Sequence, residues 1–236
     1  TAASAVGSVL TQMSDDAIVE MDAVLSAINT QSGGRSLFSG AATDGPAITT
    51  SDVILDAART VLAGAQTPEE IITALDDWFD DPNGFRQTAY LGSDADLAGF
   101  RVADGETVDL ALSADDAVFA DILKPLVLAA VTSDDTFDLA PEDKRALLSD
   151  AGQNILTAQS HLTTTQAQVG SVQARIDTFL TRNATEQTAL EFAKGALLQA
   201  DPYETATQLE AVQFQLQGLY TVTARTADLS LVNFIR

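Results

Sequence analysis

Apolar residues recur at alternating steps of three and four along the last third of the chain. From Leu148 to Leu197, twelve of the fifteen positions reached in this way are apolar. Steps that average 3.5 residues keep one seam of a helix turned towards a partner helix. No proline falls between Pro141 and Pro202, so we expect one helix here, roughly 85 Å long. The seam residues are Leu148, Ile155, Leu162, Val169, Val172, Ile176, Phe179, Leu190 and Leu197.

A second helix is predicted to follow in a different register. Asp201, Pro202 and Glu204 form a helix start, with an N-cap, a proline at the first position and an acid in the first turn. The apolar positions that follow do not continue the earlier seam, so 201–236 is interpreted as a separate assembly helix. Its predicted subunit-packing residues are Leu209, Val212, Leu216, Tyr220, Leu231 and Phe234.

Shorter elements are predicted before the long helix. A stripe of Leu10, Met13, Ala17, Met21, Val24 and Ile28 predicts a helix over 3–31, which the Gly33-Gly34 pair would end. Helices are also expected at 53–62 and from the cap at Thr67 to about Phe79. Ser113 is expected to cap another helix, which Pro125 would kink or whose start it would displace.

Three strands are expected between these helices, at 88–91, 98–103 and 107–112. Asp104-Gly105 is a hairpin turn signal between the last two. The elements together predict a mainly α fold, an elongated antiparallel helical rod of coiled-coil-like character with an inserted α+β head. The predicted domains are an N-terminal helix and loop (1–49), the head (50–140), the long helix (141–200) and the assembly helix (201–236).

The two helical arms of this predicted rod do not balance. The arm after the head has roughly 90 helical residues, and the arm before it has about 30, which leaves nearly 90 Å of helix without a partner. Residues 3–31 can cover part of the seam. We expect the rest to be covered by residues upstream of Thr1 or by neighbouring molecules.

Composition limits the function. The net charge of −22 and the pI near 4.1 argue against binding to nucleic acid or to an anionic membrane surface. Cysteine is absent, which removes disulfides, a thiol nucleophile and thiolate metal ligands. Apolar runs such as 126–131 are too short to span a bilayer. The residues after Thr1 do not resemble a secretory signal peptide.

The candidate chemistry is sparse. His161, the one histidine, has no sequence neighbour of the right type for a base or a metal site. Acidic pairs such as Asp76-Asp77 lack the spacing of a calcium loop. We therefore predict no enzyme activity and no catalytic, metal or cofactor site. Between Gln153 and Val172 the side chains are mostly small, polar and uncharged, which fits lateral packing in an assembly or a Gln/Thr-rich intramolecular bundle.

Two stretches resemble one protein family. The loop from Asn29 to Asp44 contains Gly34-Arg35-Ser36-Leu37-Phe38-Ser39-Gly40 and resembles the "N-T-x-x-x-G-R-x-L-F-x-G" stretch of bacterial flagellar hook–filament junction proteins. These are the hook-associated protein 3 type of the flagellin superfamily. The ending, from Ala200-Asp201-Pro202-Tyr203 to Leu229-Ser230-Leu231, is similar to their C-terminal helix. Flagellins share the ending, so the loop is what favours the junction protein. Leu37 and Phe38 are predicted either to anchor this loop in the core or to contact the next subunit.

The resemblance implies a structural role outside the cell, in the bacterial flagellum. It implies export without a cleaved signal peptide. The implied partners are like subunits in a ring, the other hook–filament junction protein, flagellin, and an export chaperone on the C-terminal helix. The N-terminal helix typical of the family is not found before residue 3, which agrees with the unbalanced arms. Flagellin itself is the alternative, and an extracellular coiled-coil binding or adhesion protein is a further one.

Overall fold

The computed structural model describes residues 2–103, 105–109, 112–134, 136–137, 139–199 and 201–228. The chain forms two compact units, Thr1–Phe179 and Leu180–Arg236. The mainly helical fold class predicted from the sequence, with a small α+β insertion, is confirmed. In chain order the elements are α1 (Ala2–Ile28), β1 (Gln31–Ser32), β2 (Arg35–Ser36), α2 (Ser51–Val61), α3 (Pro68–Asp80), α4 (Phe85–Ala89), β3 (Phe100–Ala103), β4 (Glu106–Val108), α5 (Ala117–Val131), α6 (Pro141–Leu198) and α7 (Pro202–Asp228).

Helix α5 is the centre of the first unit. Ten of its 15 residues are buried, on every side of the helix, as is typical of a helix that other elements surround. Helices α1, α2 and α3 pack on it. Pro125 lies inside α5, and the helix runs through it from Ala117, so the proline does not set the helix start.

Helix α1 turns one face towards α5, and a polar pair lies within that face. Its buried positions are Leu10, Ser14, Ala17, Met21, Leu25 and Ile28. The sequence pattern places Met13 on the buried face, but Met13 is 48% exposed and Ser14 is buried there. The Ser14 hydroxyl meets the Thr132 hydroxyl at 2.5 Å, and Thr132 also donates to the carbonyl of Ala129 at 2.7 Å. These contacts satisfy two buried hydroxyls that would otherwise destabilise the interface.

The Gly33-Gly34 pair does not end α1 as predicted. The helix ends at Ile28, and the two glycines form the turn of a hairpin between β1 and β2. Both have positive φ angles, 61° and 77°, which is the backbone that a tight two-residue hairpin turn requires and that glycine adopts without strain. Asn29, just after the helix, holds the far end of the loop, accepting from the N–H groups of Ala47 (2.8 Å) and Ile48 (3.0 Å).

The strand predicted at 88–91 is wrong. Residues Phe85–Ala89 form the short helix α4, and only Tyr90 makes an isolated β-bridge, to Ile48. The reason is aromatic packing from outside the segment. The ring of Phe85 is buried, stacks on Phe79 at 4.3 Å and meets Trp78 edge-on at 5.5 Å. Such tertiary contacts override a weak local strand preference.

The remaining elements are close to their predicted positions, with shifted ends. Thr67 caps α3, accepting from the N–H of Glu70 at 3.3 Å, as predicted. Helix α5 is preceded by Asp116 as its N-cap rather than by Ser113, whose own N–H donates to the Asp116 carboxylate at 2.8 Å. Strands β3 and β4 pair as a predicted antiparallel hairpin but are shorter than expected. Asp104 of the predicted turn and residues 110–111 of the predicted strand lie outside the described residues.

An ion pair links α2 to the segment after α5. Arg59 donates to the carboxylates of Asp134 and, at 2.6 Å, of Asp56. Burial alone would raise the pKa of Asp134, but hydrogen bonds from Thr136 and from the Arg59 guanidinium outweigh it and lower the pKa to about 2. The charged form of Asp134 is therefore favoured by the folded state.

We predict that Met21→Ala in α1 lowers the free energy of unfolding by about 2–5 kcal/mol, because Met21 is fully buried against the core and its removal leaves a cavity. Urea unfolding followed by circular dichroism measures this change. Val19→Ala, on the same helix but 69% exposed, is the control and should change it by less than about 0.5 kcal/mol. Equal effects of the two substitutions would contradict this packing of α1.

We also predict that Asp134→Asn removes a pH-dependent contribution to stability. Because the folded pKa of Asp134 lies below the value of 3.8 expected for a free side chain, its contribution is complete above about pH 4 and is lost as pH falls towards 2. The gap between the unfolding midpoints of wild type and variant should therefore close between about pH 4 and pH 2. Asp96→Asn, at an exposed carboxylate, is the control. A gap that is independent of pH would contradict the assignment.

Candidate functional site

Burial along α6 extends as far as Phe179. Leu147, Leu148, Ala151 and Ala158 are buried. From 159 to 180 every position is exposed except six, and those six continue the alternating steps of three and four: Leu162, Thr165, Val169, Val172, Ile176 and Phe179. Ile155 is 39% exposed. The seam is therefore the side of α6 that faces the rest of the first unit.

Side chains next to the seam contact α5 and the β3–β4 hairpin. The sequence predicts that residues 3–31 cover part of the seam, and α1 packs chiefly on α5. Arg175 donates to Glu106 of β4 at 3.1 Å, and the His161 Nδ1 atom lies 2.7 Å from the Asp121 carboxylate of α5. His161 thus has a carboxylate partner that sequence spacing did not indicate, 40 residues away.

Beyond Phe179 the apolar side chains are exposed. In the second unit, every residue from 180 to 227 whose burial the structure describes is exposed, apart from the half-buried Gly195. The seam residues Leu190 and Leu197 are 71% and 86% exposed. On α7 the predicted packing residues Leu209, Val212, Leu216 and Tyr220 are exposed too. Leu231 and Phe234 lie outside the described residues.

Helix α7 exposes apolar side chains on more than one face. Its start follows the prediction, since the N–H of Tyr203 donates to the Asp201 carboxylate at 2.8 Å. Leu209, Val212, Leu216 and Tyr220 form a stripe at helical spacing, which we call the α7 stripe. Tyr203 and Phe214, 83% and 78% exposed, project roughly 120–140° away from it. The α7 stripe does not include these two aromatic residues, which their spacing of 11 residues places on one face of the helix.

The charges are divided unequally between the two units. Of the 34 acids in the chain, 28 lie in residues 1–179 together with eight of the 12 basic residues, so this unit carries −20 of the net −22. Residues 180–236 carry only −2. Like charges keep two acidic surfaces apart at moderate ionic strength. Close approach between copies is thus least opposed at the apolar surface of the second unit.

Leu37 and Phe38, the two predicted contact residues of the loop, differ in how far their side chains are buried. Phe38 anchors the loop, since its ring meets Phe119 of α5 edge-on at 5.3 Å and its carbonyl accepts from the N–H of Ala114 at 2.8 Å. Leu37 is 48% exposed. Phe38 therefore contacts the core of the first unit, whereas the side chain of Leu37 is exposed.

Metal sites and membrane-spanning helices were considered next, within the residues that the structure describes. Over the part of the chain that the structure describes, no three His, Asp or Glu side chains are grouped so that they could hold a metal ion. Among the described helices, none is both long enough and apolar enough to cross a membrane. The most extensive feature left is the exposed apolar surface of residues 180–228.

One known protein family matches the part of the chain that carries this exposed apolar surface. Residues 153–235, about a third of the chain, match the family model described as the bacterial flagellin C-terminal helical region. The match supports membership of the flagellin superfamily and does not separate a filament subunit from a junction protein. Neither the comparison with curated proteins nor that with solved structures gave a match.

We predict that Phe179→Ala destabilises the isolated chain and that Phe192→Ala does not. Phe179 is half-buried with Arg175 over its ring at 5.7 Å, so its loss should cost about 1–2 kcal/mol, part of the ~3–5 kcal/mol for a fully buried phenylalanine. Phe192 is 81% exposed and should cost less than about 0.5 kcal/mol. Thermal unfolding of both variants as dilute monomers tests this, and an equal loss would show that burial does not end near Phe179.

Proposed function

We propose that the protein is a structural subunit of the bacterial flagellum that joins neighbouring subunits through the apolar faces of residues 180–228. The observation that carries this proposal is the run of exposed large apolar side chains in the second unit, which lies inside the region that matches the flagellin C-terminal family model. An assembly subunit needs such a surface, because burying exposed apolar side chains against a partner stabilises the complex.

The energetics support packing against other helices. Burying a leucine, valine or tyrosine of the α7 stripe in an interface is worth about 1.5–3 kcal/mol each. An isolated helix with few tertiary contacts is marginal in water, so α7 gains order as well as buried area when it packs. Several copies associating in register would add these contributions along the helix, at a surface with little net charge to oppose them.

The finer proposal is that the subunit joins hook to filament. It rests on the loop that contains Gly34, Arg35, Leu37 and Phe38, which resembles the corresponding loop of hook–filament junction proteins. On this proposal the subunit acts outside the cell after export, in a ring of like subunits, next to the second junction protein and to flagellin. The alternative is that it is flagellin itself, because the C-terminal helical region is common to both.

We predict that Leu216→Asp abolishes incorporation into flagella. Leu216 lies in the α7 stripe, and a carboxylate there cannot be buried against an apolar partner without a large cost. Immunoblots of purified flagella and swimming in soft agar measure the effect. Gln215→Asp adds the same charge about 100° away around the helix and should be tolerated. Normal swimming with Leu216→Asp would count decisively against assembly through the α7 stripe.

Deletion of the gene separates the two flagellar candidates. A junction protein is needed to retain the filament, so its loss should release flagellin monomers into the medium while hooks remain. Loss of flagellin should leave no filament protein either on the cells or in the medium. Electron microscopy and immunoblots of the culture supernatant distinguish these outcomes, and normal filaments would overturn both.

A further inference from the structure

A groove of about 400 Å³ opens on the first unit, beside the loop described above. Its apolar lining includes Leu37 and Phe38 in the loop, Leu97 and Phe100 before and at the start of β3, and Val169 on the α6 seam, and polar residues of the loop complete the lining. Leu37 and Phe100 are 48% and 58% exposed, so the groove is open to other molecules. Surface grooves of this kind take one large side chain readily.

Two polar groups of the groove lack the partners that such groups normally have. The Ser36 hydroxyl is buried, at 4% exposure for the residue, and has no hydrogen-bond partner among the described residues. A buried hydroxyl without a partner destabilises the fold, and a ligand that reaches it would offset that cost. The groove therefore favours an occupant that carries a hydrogen-bonding group at the end of an apolar body.

Arg35 is the second of these groups. Its Nε–H donates to the Thr43 hydroxyl at 3.3 Å, and within the described part of the chain it forms no ion pair. By contrast, Arg59, Arg86 and Arg175 each pair with a carboxylate. The lining of the groove includes no acid, although the unit around it carries a net charge of −20. The groove is thus a local break in an acidic surface and suits a carboxylate beside the occupant.

We propose that the groove binds Tyr203 of a second copy of the chain, with the neighbouring Glu204 pairing with Arg35. This rests on the proposed function and names one contact within that assembly. The tyrosine ring fills the apolar groove, its hydroxyl bonds to Ser36, and the carboxylate of the next residue meets the guanidinium. The apolar lining, the Ser36 hydroxyl and the Arg35 guanidinium are thus each matched by a group of two adjacent residues.

The other tyrosines fit less well. Tyr90 is half-buried and its hydroxyl already donates to the Ser93 carbonyl at 2.9 Å. Tyr220 lies in the α7 stripe, and no acid lies within four residues of it. Tyr203 is 83% exposed, and it projects away from the α7 stripe. Because the two faces are separate, one α7 helix can pack through its stripe and place Tyr203 in a neighbouring groove at the same time.

Sedimentation equilibrium of the full chain and its charge variants tests the contact. Arg35→Glu and Glu204→Arg should each weaken self-association about fivefold by placing like charges together, and the double variant should recover most of the loss. Tyr203→Ala should weaken it by about tenfold or more, as for a central aromatic contact. All these side chains are exposed, so circular dichroism should show an unchanged fold. Glu210→Arg, at another acid of α7, is the matched control, and Arg35→Glu should not rescue any loss that it causes.

The outcomes separate this contact from the proposed function. If Leu216→Asp abolishes self-association while the Arg35, Tyr203 and Glu204 variants associate like wild type, the groove contact is wrong and the assembly role stands. Failure of the double variant to recover also overturns the pairing of Arg35 with Glu204. If the wild-type chain neither self-associates nor enters flagella, both the contact and the proposed function fail.

Discussion

The structure of the first unit depends on the burial of α5. Ten of its 15 residues are buried, on every side of the helix, so it is stable only when other helices surround it. Helices α1, α2 and α3 pack on it, and the first turns of α6 add Leu147, Leu148 and Ala151 to the same core. The Ser14–Thr132 hydroxyl pair and the Arg59–Asp134 ion pair satisfy polar groups around its carboxyl end.

The burial of apolar side chains decreases along the last third of the chain. The alternating apolar pattern continues from Leu148 to Leu197, but its burial in the first unit fades from complete at Leu148 to partial at Phe179. Beyond this point the same pattern is exposed. A contiguous exposed apolar patch on a protein marks an interaction site or an aggregation liability. We infer that the covering surface belongs to other subunits, in agreement with the match to the flagellin C-terminal region.

Local sequence signals predicted part of this arrangement well. Asp201-Pro202 and Thr67-Pro68 marked helix starts, because caps act within a few residues. Features that depend on distant residues were missed. The buried Ser14 requires Thr132, the helix at Phe85–Ala89 requires Phe79 and Trp78, and the His161 contact requires Asp121. The Gly33-Gly34 turn was misinterpreted because glycine pairs serve helix ends and hairpins equally. For the assembly surface, the α7 stripe was visible as a period, whereas the groove beside Leu37 arises only when three separate segments meet.

We infer that residues 180–228 gain their partners from other subunits. Hydrogen–deuterium exchange of the backbone amides, compared between the monomer and purified flagella, tests this inference. We expect the amides of residues 180–228 to exchange fast in the monomer and to become strongly protected in the assembled state, while those of α5 are protected equally in both. Strong protection of residues 180–228 in the dilute monomer, or no gain on assembly, would contradict it.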